Sequence, residues 1–114
     1  MSAARPRRRT ERKRRATVFA ALGDETRLFL VGKLANGSPQ SISRLAEGSA
    51  LTRQAITKHL VVLEDAGVVR SVRAGRESLF EFRPAPLKEL QSYLGQVSDQ
   101  WDDVLAKLKS FVEK

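Results

Sequence analysis

Apolar positions along the chain fall into three successive rhythms. Between residues 17 and 66 they recur every three or four positions, as on a helix with one buried face. Thr17-Val18-Phe19-Ala20-Ala21-Leu22 reads as a short helix ending at Gly23. Asp24 then stands as an N-cap, and Leu28, Leu30, Val31 and Leu34 form the expected buried face of a second helix. Asn36-Gly37-Ser38-Pro39 is a stop followed by a turn. A third helix is expected over Ser41 to Glu47, with Ile42, Leu45 and Ala46 apolar. Thr52 caps a fourth, running from Arg53 to about Ala66, which turns Ala55, Ile56, Leu60 and Leu63 inward and stops at Gly67.

After Gly67 the period shortens to two. Val68 to Arg73 is β-prone, Ala74-Gly75-Arg76 supplies a turn, and Leu79-Phe80-Glu81-Phe82 alternates, which predicts a β-hairpin. Beyond Pro84 and Pro86 the third rhythm begins. Leu87, Leu90, Leu94, Val97, Trp101, Val104, Leu108 and Phe111 follow alternating steps of three and four, and Tyr93, Leu105 and Val112 widen the seam. The pattern predicts a long helix over about 86–112. Its apolar face exceeds what so small a domain can cover, so it is expected to be a dimer interface.

The order of these elements points to an architecture. A short helix, a turn containing Gly48, and a longer helix make a helix-turn-helix, and a hairpin behind it is a wing. The expected fold is mainly α with a small β-hairpin: a winged helix-turn-helix of about five helices and a two-stranded wing, dimeric. The outward positions of the fourth helix are Arg53, Gln54, Thr57 and Lys58, residue types that bond base edges and phosphates, with no acid until Glu64. Arg73 and Arg76 stand near the wing tip, placed to reach a groove or backbone beside the helix's footprint.

Charge sharpens this picture. The chain has 114 residues, enough for one domain, and a formal charge of +8. Residues 1–15 hold eight bases and one acid, a net of +7, which leaves +1 for the other 99 residues. With one proline and no apolar period, this stretch is expected to be a disordered basic arm ahead of a domain over 16–114. Arg12, Arg14 and Arg15 are its candidate contacts to DNA phosphates. Absent cysteine excludes disulfides, thiolate metal sites and Cys nucleophiles, and one histidine per chain excludes a two-histidine zinc site. No apolar run approaches a membrane span, and no catalytic arrangement or phosphate-cradling glycine loop is found. The expectation is a protein without cofactor, metal or membrane, not an enzyme, working in a prokaryotic cytoplasm on the nucleoid.

The stretch Thr52-Arg53-Gln54-Ala55-Ile56-Thr57-Lys58-His59-Leu60-Val61-Val62-Leu63-Glu64-Asp65-Ala66-Gly67-Val68-Val69 resembles the recognition helix and wing entry of ArsR-type (arsenic-repressor-like) regulators. Leu22-Gly23-Asp24-Glu25-Thr26-Arg27 resembles the start of that family's second helix, with Glu25 where proline is common. The resemblance covers about residues 17–112. It implies a homodimer joined through its first helix, which carries Phe19, and its last, binding double-stranded DNA at a palindromic operator and usually repressing. It assigns DNA contact to Thr52, Arg53, Gln54, Thr57 and Lys58, and the wing role to Arg73 and Arg76. His59, where the family often has histidine, is grouped with them as a local hydrogen-bonder or phosphate contact. The family's metal-sensing residues are replaced: Ser41-Ile42-Ser43-Arg44-Leu45 stands in place of a Cys-x-Cys pair. The last helix has Asp99, Asp102 and Asp103 but no histidine. No metal sensing is expected, and no effector is indicated.

Two other readings stay open at the level of sequence. One is a non-specific architectural binder driven by the arginine-rich arm. The other is a protein-interaction module on a winged-helix scaffold, since fold does not fix function.

Overall fold

The structure, a computed structural model, describes the backbone of residues 4–113 and the side chains of residues 9–113. Its elements in chain order are α1 (Ala4–Leu22), α2 (Glu25–Ala35), β1 (Gln40–Ser41), α3 (Ile42–Ala46), α4 (Arg53–Asp65), β2 (Val69–Ala74), β3 (Glu77–Phe82) and α5 (Ala85–Val112). The three strands form one antiparallel sheet in the order β1-β3-β2. The wing is the expected hairpin β2–β3, and β1 adds a third, two-residue strand by pairing Gln40 with Phe80 and Ser41 with Leu79. This short strand joins the wing to the entrance of α3. Two residues are too few to leave a period in the sequence.

The helix boundaries follow capping chemistry. The side chains of Asp24, Ser41 and Thr52 accept from the backbone N–H groups of Arg27, Arg44 and Ala55, each satisfying a donor that the first helical turn leaves free. At the far end of α4, the Gly67 N–H donates to the Glu64 carbonyl and the Val68 N–H to the Leu63 carbonyl, both at 2.9 Å. Gly67 has φ 78°, so the pair is a Schellman ending that needs a residue free of a Cβ at that point.

The core collects one face of each element: Val18 and Ala21 from α1, Leu30, Val31 and Leu34 from α2, Leu45 from α3, and Ile56, Leu60 and Leu63 from α4. Val68, Val69, Phe80 and Leu90 complete it. Leu28, expected inward, is 54% exposed beside the exposed Phe29. At about 100° per residue, Leu28 sits well off the Leu30–Val31–Leu34 sector, and the narrow α2 interface does not reach it.

The reading of residues 1–15 as a disordered arm is corrected over residues 4–15, which continue α1 without a break at 15/16; residues 1–3 lie outside the described residues. Ala, Arg, Lys and Glu are strong helix formers, and a helix already nucleated on Val18 and Ala21 extends at little cost. Contacts with α5 hold its middle: Arg14 Nε lies 3.9 Å from Glu89 Oε2, and the Arg15 guanidinium sits 4.5 Å above the Tyr93 ring.

Overall dimensions are 67 × 40 × 21 Å, with a Cα radius of gyration of 19.0 Å. A compact chain of this length would have about 13 Å. The excess is the reach of α1 and α5 beyond the core.

Candidate nucleic-acid interface

The surface of α4 opposite the core carries Arg53, Gln54, Thr57 and Lys58, all exposed as expected. Together with Ile42 of α3 they line an open depression of about 470 Å³. Their local bonds decide what each can offer. Thr52 is spent partly on its cap, accepting from the Ala55 N–H at 3.1 Å. Thr57 Oγ1 donates back to the Arg53 carbonyl at 2.8 Å, so it presents its methyl group and a remaining lone pair outward. One Arg53 guanidinium nitrogen donates to Ser43 Oγ, which braces that side chain against α3. Gln54 and Lys58 have no such restraint among the described residues, and both are exposed on the outer surface of α4.

His59 lies elsewhere. At about 100° per residue it is on the flank turned toward α1 and α2, away from Gln54 and Thr57. Its Nδ1 is 3.3 Å from Arg27 Nη1 and 3.8 Å from Asp24 Oδ2. A guanidinium only donates, so in the contact with Arg27 it is Nδ1 that accepts. Of the two roles expected for His59, the local hydrogen bond is the one seen here.

Arg27, absent from the sequence-based candidates, organises this flank. Its Nε donates to the Ala21 carbonyl at 2.6 Å and its Nη2 to the Ala20 carbonyl at 3.3 Å, which also accepts from the Gly23 N–H, so the side chain caps the C-terminal end of α1. Asp24 accepts from the Arg27 backbone N–H, and this hydrogen bond is the main cause holding its carboxyl below the ordinary 3.8. Desolvation is the second-largest influence and opposes it, while the nearby Arg27 charge adds to the lowering. These contacts pin the end of α1, the start of α2 and the middle of α4 to one another. No local pattern announces them, because Arg27 and His59 are 32 positions apart.

The wing projects beside α4. Its loop is Gly75-Arg76, between the paired residues Ala74 and Glu77, and Gly75 supplies the positive φ (63°) required at its first position. Arg73 and Arg76 are exposed there, as expected. Nearer the base, Arg70 and Glu81 form a cross-strand ion pair. Of the arm candidates, Arg12 and Arg14 are exposed, Arg14 lying near Glu89 of α5, and Arg15 is half-buried over the Tyr93 ring.

The apolar seam of α5 divides in two. Leu90 is 5% exposed, so it serves this chain's own interior and not the expected interface, and Leu87 is partly buried against the same core. From Leu94 onward the seam is bare: Leu94, Val97, Trp101, Val104, Leu108 and Phe111 are all exposed, with Trp101 at 58%. Phe19 of α1 is also exposed at its edge, its ring 6.4 Å from that of Tyr93 in an edge-on arrangement.

Comparison with known proteins fixes the relationship. A family model described as a helix-turn-helix domain matches residues 22–72, from the end of α1 into the wing. The HTH-type transcriptional regulator YuzN of Bacillus subtilis (strain 168) is 40% identical over 64% of this chain and 86% of its own length. The ArsR-like transcriptional regulator from Rhodococcus sp. RHA1 superposes with a TM-score of 0.80 at 38% identity, covering 90% of this chain and 95% of the other. The chain belongs to the ArsR family of winged helix-turn-helix transcriptional regulators. As an ArsR-type regulator, it carries its DNA-binding motif in α3 and α4. A more distant structure shares the fold: the homodimeric winged helix-turn-helix DNA-binding domain Mb0332 from Mycobacterium bovis, at 21% identity and a TM-score of 0.69, covering 88% of this chain and 92% of that one. Among the described residues of this ArsR-type regulator, no helix is long and apolar enough to cross a membrane.

Proposed function

We propose that this ArsR-type regulator is a repressor that binds a palindromic operator as a homodimer. The observation that carries the reading is the bare seam of α5 from Leu94 to Phe111. Apolar surface of this extent is characteristic of association sites, and a two-fold pair of such helices covers both seams at once. That Mb0332, of the same fold, is homodimeric supports it. Such a dimer presents two copies of α4, roughly 34–36 Å apart, to successive major grooves. Arg53, Gln54, Thr57 and Lys58 meet base edges, Thr52 and the wing arginines Arg73 and Arg76 meet backbone, and Arg12 reaches phosphate from α1. Phe19 joins the α5 seam in the dimer. Occupancy beside a promoter would exclude polymerase, and this reading has the protein working in the cytoplasm on the nucleoid.

The two classes of contact are separable by mutation. On a duplex selected from a random-sequence library with the wild-type protein, Arg53→Ala is expected to cost about 1–3 kcal/mol and to relax preference at one position of each half-site. Arg76→Ala is expected to weaken all sequences alike and to flatten the salt dependence of binding. Selection and salt titration of both variants read these effects. Equal, sequence-independent losses would remove Arg53 from base readout.

A further inference from the structure

Glu64 presents an anomaly on the face just described. It stands in the last turn of α4, on the same stripe as Arg53 and Thr57. A carboxylate there meets the negative end of the helix dipole. It is also an acid at the margin of a surface otherwise built to attract phosphate. Neither placement stabilises anything by itself.

Its contacts supply the reason. Glu64 Oε2 accepts from the Ser71 backbone N–H at 3.2 Å and from the Ser71 hydroxyl at 2.9 Å. Ser71 lies on β2, an edge strand of the sheet, opposite Phe80 of β3. The carboxylate therefore stitches the recognition helix to the outer strand of the wing, two residues before Arg73 and five before Arg76. Around this stitch the hairpin is braced across its strands. The Arg70–Glu81 ion pair joins its strands, and the Arg83 N–H donates to the Val68 carbonyl at 2.8 Å across its base. The Glu64–Ser71 bonds tie this braced hairpin to the last turn of α4.

We propose that Glu64 is a positioning residue for DNA recognition, clamping Ser71 so that the wing arginines meet backbone in register with the bases read by α4. This rests on the DNA-binding reading above. If Glu64 were only a surface acid near phosphate, removing it would relieve repulsion and tighten binding. The clamp predicts the opposite sign.

The experiment uses the full chain and two versions of the duplex selected with the wild-type protein, one with its flanks and one trimmed to the half-sites. Glu64→Ala is expected to bind the flanked duplex about five- to tenfold more weakly and the trimmed duplex like wild type. Glu64→Gln, whose amide oxygen still accepts from Ser71, is expected to match wild type on both. In an Arg73→Ala/Arg76→Ala background, Glu64→Ala should add no further loss, since residues acting as one unit are non-additive. In the free protein, amide exchange at Ser71 should speed up in Glu64→Ala and not in Glu64→Gln. Wild-type or tighter binding of the flanked duplex by Glu64→Ala overturns the proposal while leaving the DNA-binding reading intact. Equal losses on both duplexes overturn it likewise. Failure of the wild-type protein to select any duplex overturns the reading beneath it as well.

Discussion

Replacing Trp101 by glutamate is expected to yield a folded monomer that has lost tight operator binding. Trp101 is 58% exposed on a helix whose contacts with its own core end near Leu90 and Tyr93, so the substitution removes nothing from the interior of the protomer. In the proposed dimer the same position lies near the middle of the covered seam, between Val97 and Val104. Two-fold symmetry would bury the charge twice, without a partner. An unpaired charge in an apolar interface costs several kcal/mol, and aromatic anchors near an interface centre are where truncation is most damaging. A loss of about 4 kcal/mol corresponds to roughly a thousandfold in the dimer dissociation constant. Sedimentation velocity gives the mass, circular dichroism the fold, and titration of a two-half-site duplex the affinity. A Trp101→Glu protein that stays dimeric at micromolar concentration would place the interface elsewhere.

Leu60→Ala is expected to destabilise the fold more than any substitution on its surface. Leu60 is 0% exposed and sits on the buried face of α4 between Ile56 and Leu63, where α4 rests on the core. Truncating a buried leucine leaves a cavity and costs about 2–5 kcal/mol. For a domain of this size that lowers the melting temperature by on the order of 15 °C. Leu28→Ala makes the control: the same change of side chain at a position 54% exposed should shift stability by less than about 0.5 kcal/mol. Thermal melts of the two variants and wild type in one buffer compare them. Similar losses from both would mean that Leu28 is covered in the folded protein.

The contrast between these two leucines shows what the sequence could reveal. α4 was legible because its cap, its terminator and its inward residues all agree: Thr52 bonds Ala55, Gly67 takes the left-handed conformation, and Ile56, Leu60 and Leu63 are fully buried. The wing was legible because its period of two and its glycine turn coincide. Leu28 is misplaced by periodicity because five apolar residues in eight, 28–31 and 34, fit more than one helical face, and only packing selects among them. The basic stretch was read as a tail because composition speaks for solvation; its continuation of α1 depends on Val18 and Ala21 having already fixed the helix. His59, Arg27 and Glu64 depend on contacts between separate elements. Local periodicity carries no trace of those, although an acid at position 64, on the stripe of Arg53 and Thr57, is a visible irregularity in the sequence.

The ArsR-type assignment and the bare α5 seam meet in one claim, that two recognition helices of a symmetric pair read DNA together. A spacing series tests this most directly, using the selected duplex with base pairs inserted between its half-sites. With half-site centres about 10–10.5 base pairs apart, both copies of α4 enter grooves on one side of the helix. Inserting about five base pairs rotates one half-site to the opposite side, and binding should fall by roughly a hundredfold or more, with one dimer bound per natural duplex. Equal affinity at every spacing, or a single chain bound per duplex, would contradict the account.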